Sequence, residues 1–100
     1  MAIETIQQII DGNTAAGQFY FSEDTMRWFN SKVYDDVFPV SDGALFITSE
    51  KQPGNPRLYT VRKYHAEDGD ISTVGEFMGY LTQRTAASAA RRAANEIDSE

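Results

Sequence analysis

Isoleucines recur at helical spacing near the start of the chain. Their positions place most of them on one face of a helix, so residues 2–11 predict a short amphipathic helix. Gly12 follows the pattern, and we interpret it as the stop signal of this helix. The apolar face comprises Ile3, Ile6, Ile9 and Ile10.

A second helix is predicted to begin after Ser22, because a serine hydroxyl caps the free N–H groups of a helix N-terminus. Glu23 and Asp24 then lie in its first turn, where the helix dipole favours negative charge. The helix is expected to end near residues 31–32. Its apolar side comprises Met26, Phe29 and Val33, with Trp28 beside them.

Two strands are expected next. Residues 33–40 contain Pro39, which cannot donate a ladder hydrogen bond, so this strand is predicted at a sheet edge. Residues 41–43 read Ser-Asp-Gly and predict a tight turn. Residues 44–49 begin with an unbroken apolar run, which indicates burial on both faces. A turn-rich loop with two prolines follows at residues 51–56.

A β-hairpin is predicted from residues 58–65 and 71–77, which flank an Asp-Gly turn at 68–69. Alternation gives both faces of the hairpin apolar side chains and leaves open which face meets the helices. The expected cross-strand pairs are Tyr64 with Ile71, Val61 with Val74, and Leu58 with Phe77.

The last predicted element is an alanine-rich helix over residues 83–97, capped by Thr82. Its small-residue face allows close packing on a sheet. The pattern therefore predicts an α+β fold with two N-terminal helices, a three- to four-stranded antiparallel sheet, and this C-terminal helix packed on the sheet.

Length and composition indicate the number of domains and the class of protein. One hundred residues, 41% of them apolar, predict one compact domain spanning residues 1–100, either a monomer or a homodimer. No cysteine is present, which excludes disulfides and thiolate metal sites. No basic leader and no run of about 18 apolar residues is visible, so we expect a soluble, intracellular protein without a membrane partner.

Charge is unevenly distributed. The net charge is −6, and residues 1–50 hold eight acidic side chains against two basic ones, Arg27 and Lys32. The negative charge of residues 1–50 repels phosphate, which disfavours direct nucleic-acid binding. The same charge suits docking on a basic surface. The alternative interpretation is that the charge only maintains solubility.

Catalytic chemistry has little support in the sequence. His65 is the only histidine and the only candidate base for a Ser-His-Asp triad, but it lies at a hairpin end, where a solvated turn residue is usual. Residues 67–70 lack the spacing of a calcium loop, and Asp35 and Asp36 are neighbours on a strand that face opposite ways. We therefore predict no enzyme activity, no metal site and no cofactor.

Partner binding is the remaining class. Aromatic residues near carboxylates are typical of interface hot spots, although the pattern favours a core position for Trp28 and Phe29. The predicted partner-binding residues are Glu23, Asp24, Trp28, Tyr34, Asp35, Asp36 and Asp42.

A basic-aromatic strand gives the alternative. Arg57, Arg62 and Lys63 alternate with Tyr59 and Tyr64, side chains that could hold phosphates and stack bases. Strand alternation places Arg62 with Tyr64 on one face and Lys63 with Tyr59 on the other, which splits this patch.

Four segments carry a family resemblance: Asp-Thr-Met-Arg-Trp-Phe-Asn-Ser-Lys-Val at 24–33, Leu-Phe-Ile-Thr-Ser-Glu at 45–50, Tyr-Thr-Val-Arg-Lys-Tyr at 59–64 and Thr-Val-Gly-Glu-Phe-Met-Gly-Tyr at 73–80. Together with the alanine-rich tail, they resemble small uncharacterised proteins encoded by tailed bacteriophages and prophages, over about residues 18–95.

The resemblance implies a small accessory protein made inside an infected bacterium. Such proteins commonly bind and block a host machine, and anti-CRISPR inhibitors among them present carboxylates to basic nucleic-acid channels. We therefore expect an acidic inhibitor of a host defence complex, a CRISPR effector being one candidate. The alternative is a nucleic-acid-binding phage regulator that uses the basic-aromatic strand.

Overall fold

The computed structural model describes residues 3–28 and 30–98, which form three helices and four strands. In chain order the elements are α1 (Ile6–Ala15), α2 (Glu23–Trp28), β1 (Lys32–Val40), β2 (Gly43–Glu50), β3 (Leu58–His65), β4 (Ile71–Val74) and α3 (Gln83–Asp98). The strands form one antiparallel sheet in the order β1-β2-β3-β4. The predicted α+β fold, with α3 packed on the sheet, is confirmed.

The sheet is covered on both faces, which explains why both faces of the hairpin are apolar. On one face, α3 packs the buried Ala86 and Ala90 against a core that includes Leu45, Ile47 and Val61. The opposite face is covered by α1 and the segment after it, and its buried core comprises Ile9, Ala44, Phe46 and Tyr64. β2 contributes to both cores, and all eight of its residues are buried, as its unbroken apolar start indicated.

The first helix differs from its prediction at both ends. Its N-terminus is a capping box, in which the Thr5 hydroxyl accepts from the Gln8 N–H at 3.2 Å and the Gln8 side chain accepts from the Thr5 N–H at 3.0 Å. Ile3 therefore lies before the helix. Gly12 is not a stop signal, because α1 continues through it to Ala15. A Cβ at Gly12 would lie 2.0 Å from the Tyr64 hydroxyl, so the glycine is needed for close packing.

The second helix begins as predicted and ends earlier. The Ser22 hydroxyl accepts from the Thr25 N–H at 3.3 Å, which caps the helix. The helix stops at Trp28 rather than near residues 31–32, because Asn30 adopts a left-handed φ of 49° and the Ser31 N–H donates to the Met26 carbonyl at 2.7 Å, a Schellman-type ending. Val33 belongs to β1, and Phe29 lies outside the described residues.

The strand register is largely as predicted. β1, with Pro39, lies at a sheet edge, and Tyr64 pairs with Ile71 and Val61 with Val74. The expected pairing of Leu58 with Phe77 is wrong. β4 ends at Val74 because Gly75 turns the chain with a φ of 76°, and an isolated bridge joins Tyr59 to Tyr80 instead.

The C-terminal helix is confirmed with its cap, since the Thr82 hydroxyl accepts from the Thr85 N–H at 3.1 Å.

A buried asparagine of α1 joins this helix to the hairpin. The Asn13 side chain donates to the Gly69 carbonyl and accepts from the Tyr20 N–H, both at 2.8 Å. This contact holds the segment that follows α1 against the sheet.

Candidate functional site

The predicted acidic residues follow one another along α2 and the edge strand. Glu23 and Asp24 are exposed in the first turn of α2. Asp35 and Asp36 are exposed in β1, where the pairing with β2 shifts register between Val33 and Val37. Asp42 is exposed in the turn after β1. We call Glu23, Asp24, Asp35, Asp36 and Asp42, together with Trp28, the acidic edge.

Some of these carboxylates have internal partners. Glu23 forms an exposed ion pair with Arg27 at 2.6 Å. Asp42 accepts from the Lys63 ammonium at 3.0 Å, and this hydrogen bond lowers the pKa of Asp42 below its ordinary value of 3.8. Asp36 accepts from the Gln83 amide at 3.3 Å. Within residues 3–28 and 30–98, Asp24 and Asp35 make no ion pair.

The two predicted aromatic anchors differ in their surroundings. Trp28 is 82% exposed, the largest fraction among the exposed apolar side chains of the described chain. Because it follows Asp24 by four residues in α2, the two side chains share one face of the helix. Tyr34 is half-buried, with its hydroxyl 3.0 Å from the Ser49 hydroxyl and its ring packed on Tyr59. Trp28 is therefore the more accessible anchor.

The basic-aromatic strand is engaged in internal contacts. Arg57 donates to the Asn30 carbonyl at 3.1 Å and to the Ser49 hydroxyl at 2.8 Å. Arg62 lies on the α1 side of the sheet and Lys63 on the α3 side, as alternation predicted. Their guanidinium and ammonium groups contact protein carboxylates, which leaves less charge for phosphate.

His65 is half-buried at the end of β3, with Nε2 2.8 Å from the Ser72 hydroxyl. This distance suits a base and a nucleophile, but a triad also needs a carboxylate that orients the ring. Among the described residues no carboxylate hydrogen-bonds to His65, and the Asp42 carboxylate is turned to Lys63. The pair is a side-chain contact between β3 and β4.

Sequence reasoning missed a buried ion pair beneath α2. Glu50, the last residue of β2, is fully buried. The hydroxyls of Thr48 and Thr60 donate to it at 2.7 and 2.6 Å, and Arg62 Nη2 lies 3.6 Å from its Oε2. Burial of a charge is costly unless hydrogen bonds and an opposite charge compensate it, and Glu50 has both.

Arg62 is in turn fixed by hydroxyls. Its Nε donates to Thr48 at 3.2 Å, and its Nη1 donates to Thr73 at 2.5 Å. Ser31, after α2, donates to Glu50 at 3.4 Å. We call these residues the Glu50–Arg62 network; it comprises Ser31, Thr48, Glu50, Thr60, Arg62 and Thr73. It joins three strands to the segment that follows α2.

A sequence signal for this network existed. Thr48 and Glu50 are two residues apart, as are Thr60 and Arg62, so each pair lies on one face of its strand. Only the register of β2 on β3, with Thr48 opposite Thr60 and Phe46 opposite Arg62, shows that the two pairs meet.

An open cavity of about 330 Å³ lies over this network. Arg62 is in its wall, and the Arg62 guanidinium carbon is 5.7 Å from the centre of the Tyr20 ring and 5.3 Å from that of Phe77. Burial raises the pKa of the Tyr20 phenol above its ordinary value of 10.0. We call this the Arg62 cavity; it is lined by Tyr20, Thr25, Met26, Ser31, Arg62, Thr73 and Phe77.

The rim of the cavity contains unusual backbone. The three non-glycine residues with positive φ in the described chain are Phe19, Asn30 and Met78, and each adjoins a residue that lines the cavity. Left-handed conformations are unfavourable for residues with a Cβ and often occur at functional sites. Asn13 and Thr60 hold two of these segments through hydrogen bonds to the N–H groups of Tyr20 and Met78.

No helix within 3–28 and 30–98 is long and apolar enough to cross a membrane. The same residues contain no group of three or more His, Asp or Glu side chains placed to hold a metal ion.

Comparison with known proteins identifies a family. Residues 5–91 match a family described as a family of unknown function, DUF7447. Neither the curated proteins nor the solved structures include a match to the chain. The match covers most of the chain and includes the acidic edge, the Glu50–Arg62 network and the Arg62 cavity.

Proposed function

The chain belongs to the family of unknown function DUF7447, and we propose that it is a non-catalytic binding protein whose acidic edge docks on a basic protein or ribonucleoprotein surface. The single observation that carries this proposal is Trp28, which is 82% exposed beside the first-turn carboxylates of α2. Exposed tryptophan is rare on a surface with no partner and is the residue most enriched at interface hot spots.

The chemistry of this surface favours contact with an arginine side chain of the partner. A guanidinium on the partner can stack on the Trp28 ring and pair with the Asp24 carboxylate on the same helix face, which combines a cation–π contact with a charge-assisted hydrogen bond. The cleft beside the Trp28 ring is lined also by Asn30, Lys51, Gln52 and Pro53. It provides a concave wall for the rest of such a side chain.

The edge strand adds charge rather than a template for strand pairing. Exposed Asp35 and Asp36 interrupt the regular register of β1, and charged, irregular edges resist addition of another strand. The contact we propose is therefore made by side chains of α2 and β1 rather than by strand pairing.

The identity of the target rests on the resemblance to phage and prophage proteins. We propose that the basic surface belongs to a host defence complex, such as a CRISPR effector, whose nucleic-acid channel is lined with arginine and lysine. Carboxylates along an edge would then occupy positions that phosphates occupy in the uninhibited complex. Inhibition follows because the channel cannot hold this protein and the nucleic acid at the same time.

A capture experiment tests the docking surface. The tagged protein is used to isolate complexes from a bacterial host lysate, and mass spectrometry identifies the partner. The double variant Asp24→Lys/Asp35→Lys is expected to lose the complex, since two attractive contacts become repulsive. The double variant Glu4→Lys/Glu67→Lys changes net charge equally at exposed sites off the edge and should retain it. Retention by both variants would reject the acidic edge as the contact.

Inhibition is tested separately. A host with an active CRISPR system, expressing this chain, should allow a targeted phage to form plaques, and the Trp28→Ala variant should lower plating by at least about tenfold. Unchanged restriction of the phage in the presence of the wild-type chain excludes this target and leaves the capture result to identify another.

The second candidate is a nucleic-acid-binding phage regulator. Since Arg57, Arg62 and Lys63 have protein partners, it depends on the exposed Arg84 and Arg92 of α3. Phosphate contacts predict an electrophoretic shift of DNA or RNA that weakens steeply with salt. No shift at low salt removes this candidate, and a shift that survives Arg84→Gln/Arg92→Gln shows that other residues make the phosphate contacts.

A further inference from the structure

The Arg62 cavity is a second concave site, distinct from the acidic edge. Neither Trp28 nor any acidic residue of that edge lines it. Its volume of about 330 Å³ lies at the small end of the range for ligand pockets. The polar groups in its wall are held in place from behind by the Glu50–Arg62 network, so they are ordered before any ligand arrives.

Arg62 has donor capacity left over. Its Nε and Nη1 each donate to a threonine hydroxyl, while Nη2, at 3.6 Å from the Glu50 carboxylate, makes no shorter contact among the described residues. A guanidinium carries two N–H groups on each terminal nitrogen. The side chain is 11% exposed. An acceptor atom of a ligand in the cavity can therefore complete the shell of Arg62.

The remaining walls are flat, apolar or hydroxylic. The rings of Tyr20 and Phe77 both lie within 6 Å of the Arg62 guanidinium carbon, so a ligand at Arg62 is also within reach of aromatic faces. Thr25 and Ser31 contribute hydroxyls that can accept a hydrogen bond from a ligand N–H. The walls thus match a planar ring that carries an acceptor and a donor together.

Charge decides whether the planar ligand in the cavity is anionic or neutral. Arg62 is already balanced by Glu50, which is fully buried in the same network. An anionic ligand would place a second negative charge beside Glu50 in a poorly solvated site, whereas a neutral carbonyl gains the hydrogen bond without that repulsion. We propose that the Arg62 cavity binds an uncharged aromatic carboxamide, with its carbonyl oxygen on Arg62 and its ring on Tyr20 and Phe77.

The test uses the purified full chain and two matched probes. Benzamide and benzoate have nearly the same shape and differ in charge. In a titration followed by two-dimensional ¹H–¹⁵N NMR, benzamide should bind with a Kd of about 1 mM and shift the amide signals of Ser31 and Thr73. Benzoate should bind at least about fivefold more weakly, because of its charge.

Variants locate the site. Phe77→Ala removes a wall that is 42% exposed, so the fold is retained, and should weaken benzamide binding at least about threefold. Leu81→Ala, at a residue 77% exposed and outside the cavity, is the matched control and should bind normally, as should Trp28→Ala.

Three results overturn the proposal: no saturation by benzamide, benzoate binding as tightly as benzamide, or equal affinity of Phe77→Ala and Leu81→Ala. Because Trp28→Ala tests the acidic edge and leaves the cavity intact, failure of this site is distinguishable from failure of the proposed docking function.

Discussion

Gly12 illustrates how a single residue can be selected by its neighbour across the core rather than by its own helix. Glycine is unfavourable inside a helix by about 1 kcal/mol relative to alanine. In α1 it is retained because the Tyr64 hydroxyl occupies the space of a Cβ at 2.0 Å. The helix can approach the sheet at this point only without that atom.

Gly12→Ala is therefore expected to destabilise the protein, although it raises helix propensity. The displaced Tyr64 ring should cost more than the helix gains, with a net loss of about 1–2 kcal/mol in the free energy of unfolding. Urea denaturation measures this loss. The double variant Gly12→Ala/Tyr64→Phe removes the clashing oxygen and should recover part of it; full additivity of the two changes would contradict the steric explanation.

Asp42 provides a residue-scale test by pH. The hydrogen bond from Lys63 lowers the pKa of Asp42 below 3.8, so the pair stabilises the fold above the pKa of the unfolded chain and loses this contribution as pH falls through the lowered value. The effect on stability is small because the Asp42 side chain is 59% exposed. We expect Lys63→Met to raise the pKa of Asp42.

Carboxyl chemical shifts measured by NMR between about pH 2 and 6 give this pKa directly. Arg84→Met removes one positive charge elsewhere on the surface and serves as the control, with the Asp42 titration expected to stay as in the wild type. An unchanged Asp42 titration in Lys63→Met would show that another group lowers the pKa.

At the scale of elements, α3 packs through alanine. Ala86 and Ala90 are fully buried against the core of the sheet, and the small side chains let the helix backbone lie close to β1, β2 and β3. Interiors are packed as densely as organic crystals, so little free volume is available for a larger residue. The alanine face of α3 therefore sets the distance between this helix and the sheet.

Ala90→Leu should push α3 away from the sheet and lower the free energy of unfolding by about 2–3 kcal/mol. Ser88→Leu makes a leucine of the same size on the exposed side of the helix and should stay within about 0.5 kcal/mol of the wild type. Thermal denaturation of both variants provides the comparison. Equal stability of the two would mean that the helix face is not tightly packed.

The Glu50–Arg62 network acts on several elements at once, because it joins β2, β3 and β4 beneath the segment that follows α2. Its polar side chains take the place that apolar residues occupy farther along the same face, where Phe46 and Tyr64 pack on α1. The sheet face is thus divided into an apolar half and a hydrogen-bonded half.

Arg62→Met is expected to cost about 3 kcal/mol, since it leaves the buried Glu50 carboxylate without its cation. Adding Glu50→Gln removes the uncompensated charge, keeps an acceptor for Thr60, and should restore much of the loss. Arg27→Met, which breaks the exposed pair with Glu23, is the control and should cost less than about 0.5 kcal/mol. Chemical denaturation measures all three, and a similar cost for both arginine variants would contradict the importance of burial.

For the whole molecule, the uneven distribution of acidic and basic side chains matters most for association. Five of the eight carboxylates of the first half lie on α2, β1 and the following turn, together with the cations Arg27 and Lys32, whereas the exposed arginines Arg84, Arg91 and Arg92 belong to α3. With a net charge of −6, the chain repels acidic surfaces and attracts basic ones over about one Debye length. Association with the partner that we propose is therefore an electrostatic event.

We expect the affinity for the captured partner to fall at least about tenfold between roughly 0.05 and 0.5 M NaCl. Asp24→Asn/Asp35→Asn should bind more weakly at low salt and show a shallower dependence, because fewer charges are screened. Surface plasmon resonance at several salt concentrations gives both values. A slope unchanged by these substitutions would mean that other residues make the contact.

Much of the architecture was predictable because local signals agreed with the final packing. Ser22 and Thr82 cap helices as their types indicate, and the hairpin register placed Tyr64 opposite Ile71. The prediction for Gly12 was wrong because a distant group decided the local structure. Gly12 appeared as a stop signal because its reason for being glycine lies in β3, far away in the chain.

The candidate sites divide in the same way. The acidic edge was visible in the sequence as a series of acidic residues along α2 and β1, and its role stays a prediction. The Arg62 cavity was not visible, because its lining residues come from four separate parts of the chain. Strand parity placed Thr48 with Glu50 and Thr60 with Arg62, but it said nothing about the register that joins them.

The sequence alone determined the elements, since periodicity, caps and turn residues act within a few positions along the chain. It also determined the charge of the first half. The tertiary structure decided which helix covers which face, why Gly12 has no side chain, and that a buried carboxylate and a guanidinium meet beneath a cavity. These outcomes depend on contacts between strands and helices that sequence spacing does not encode, because packing and compensation of buried charge are settled only when all the elements are in place.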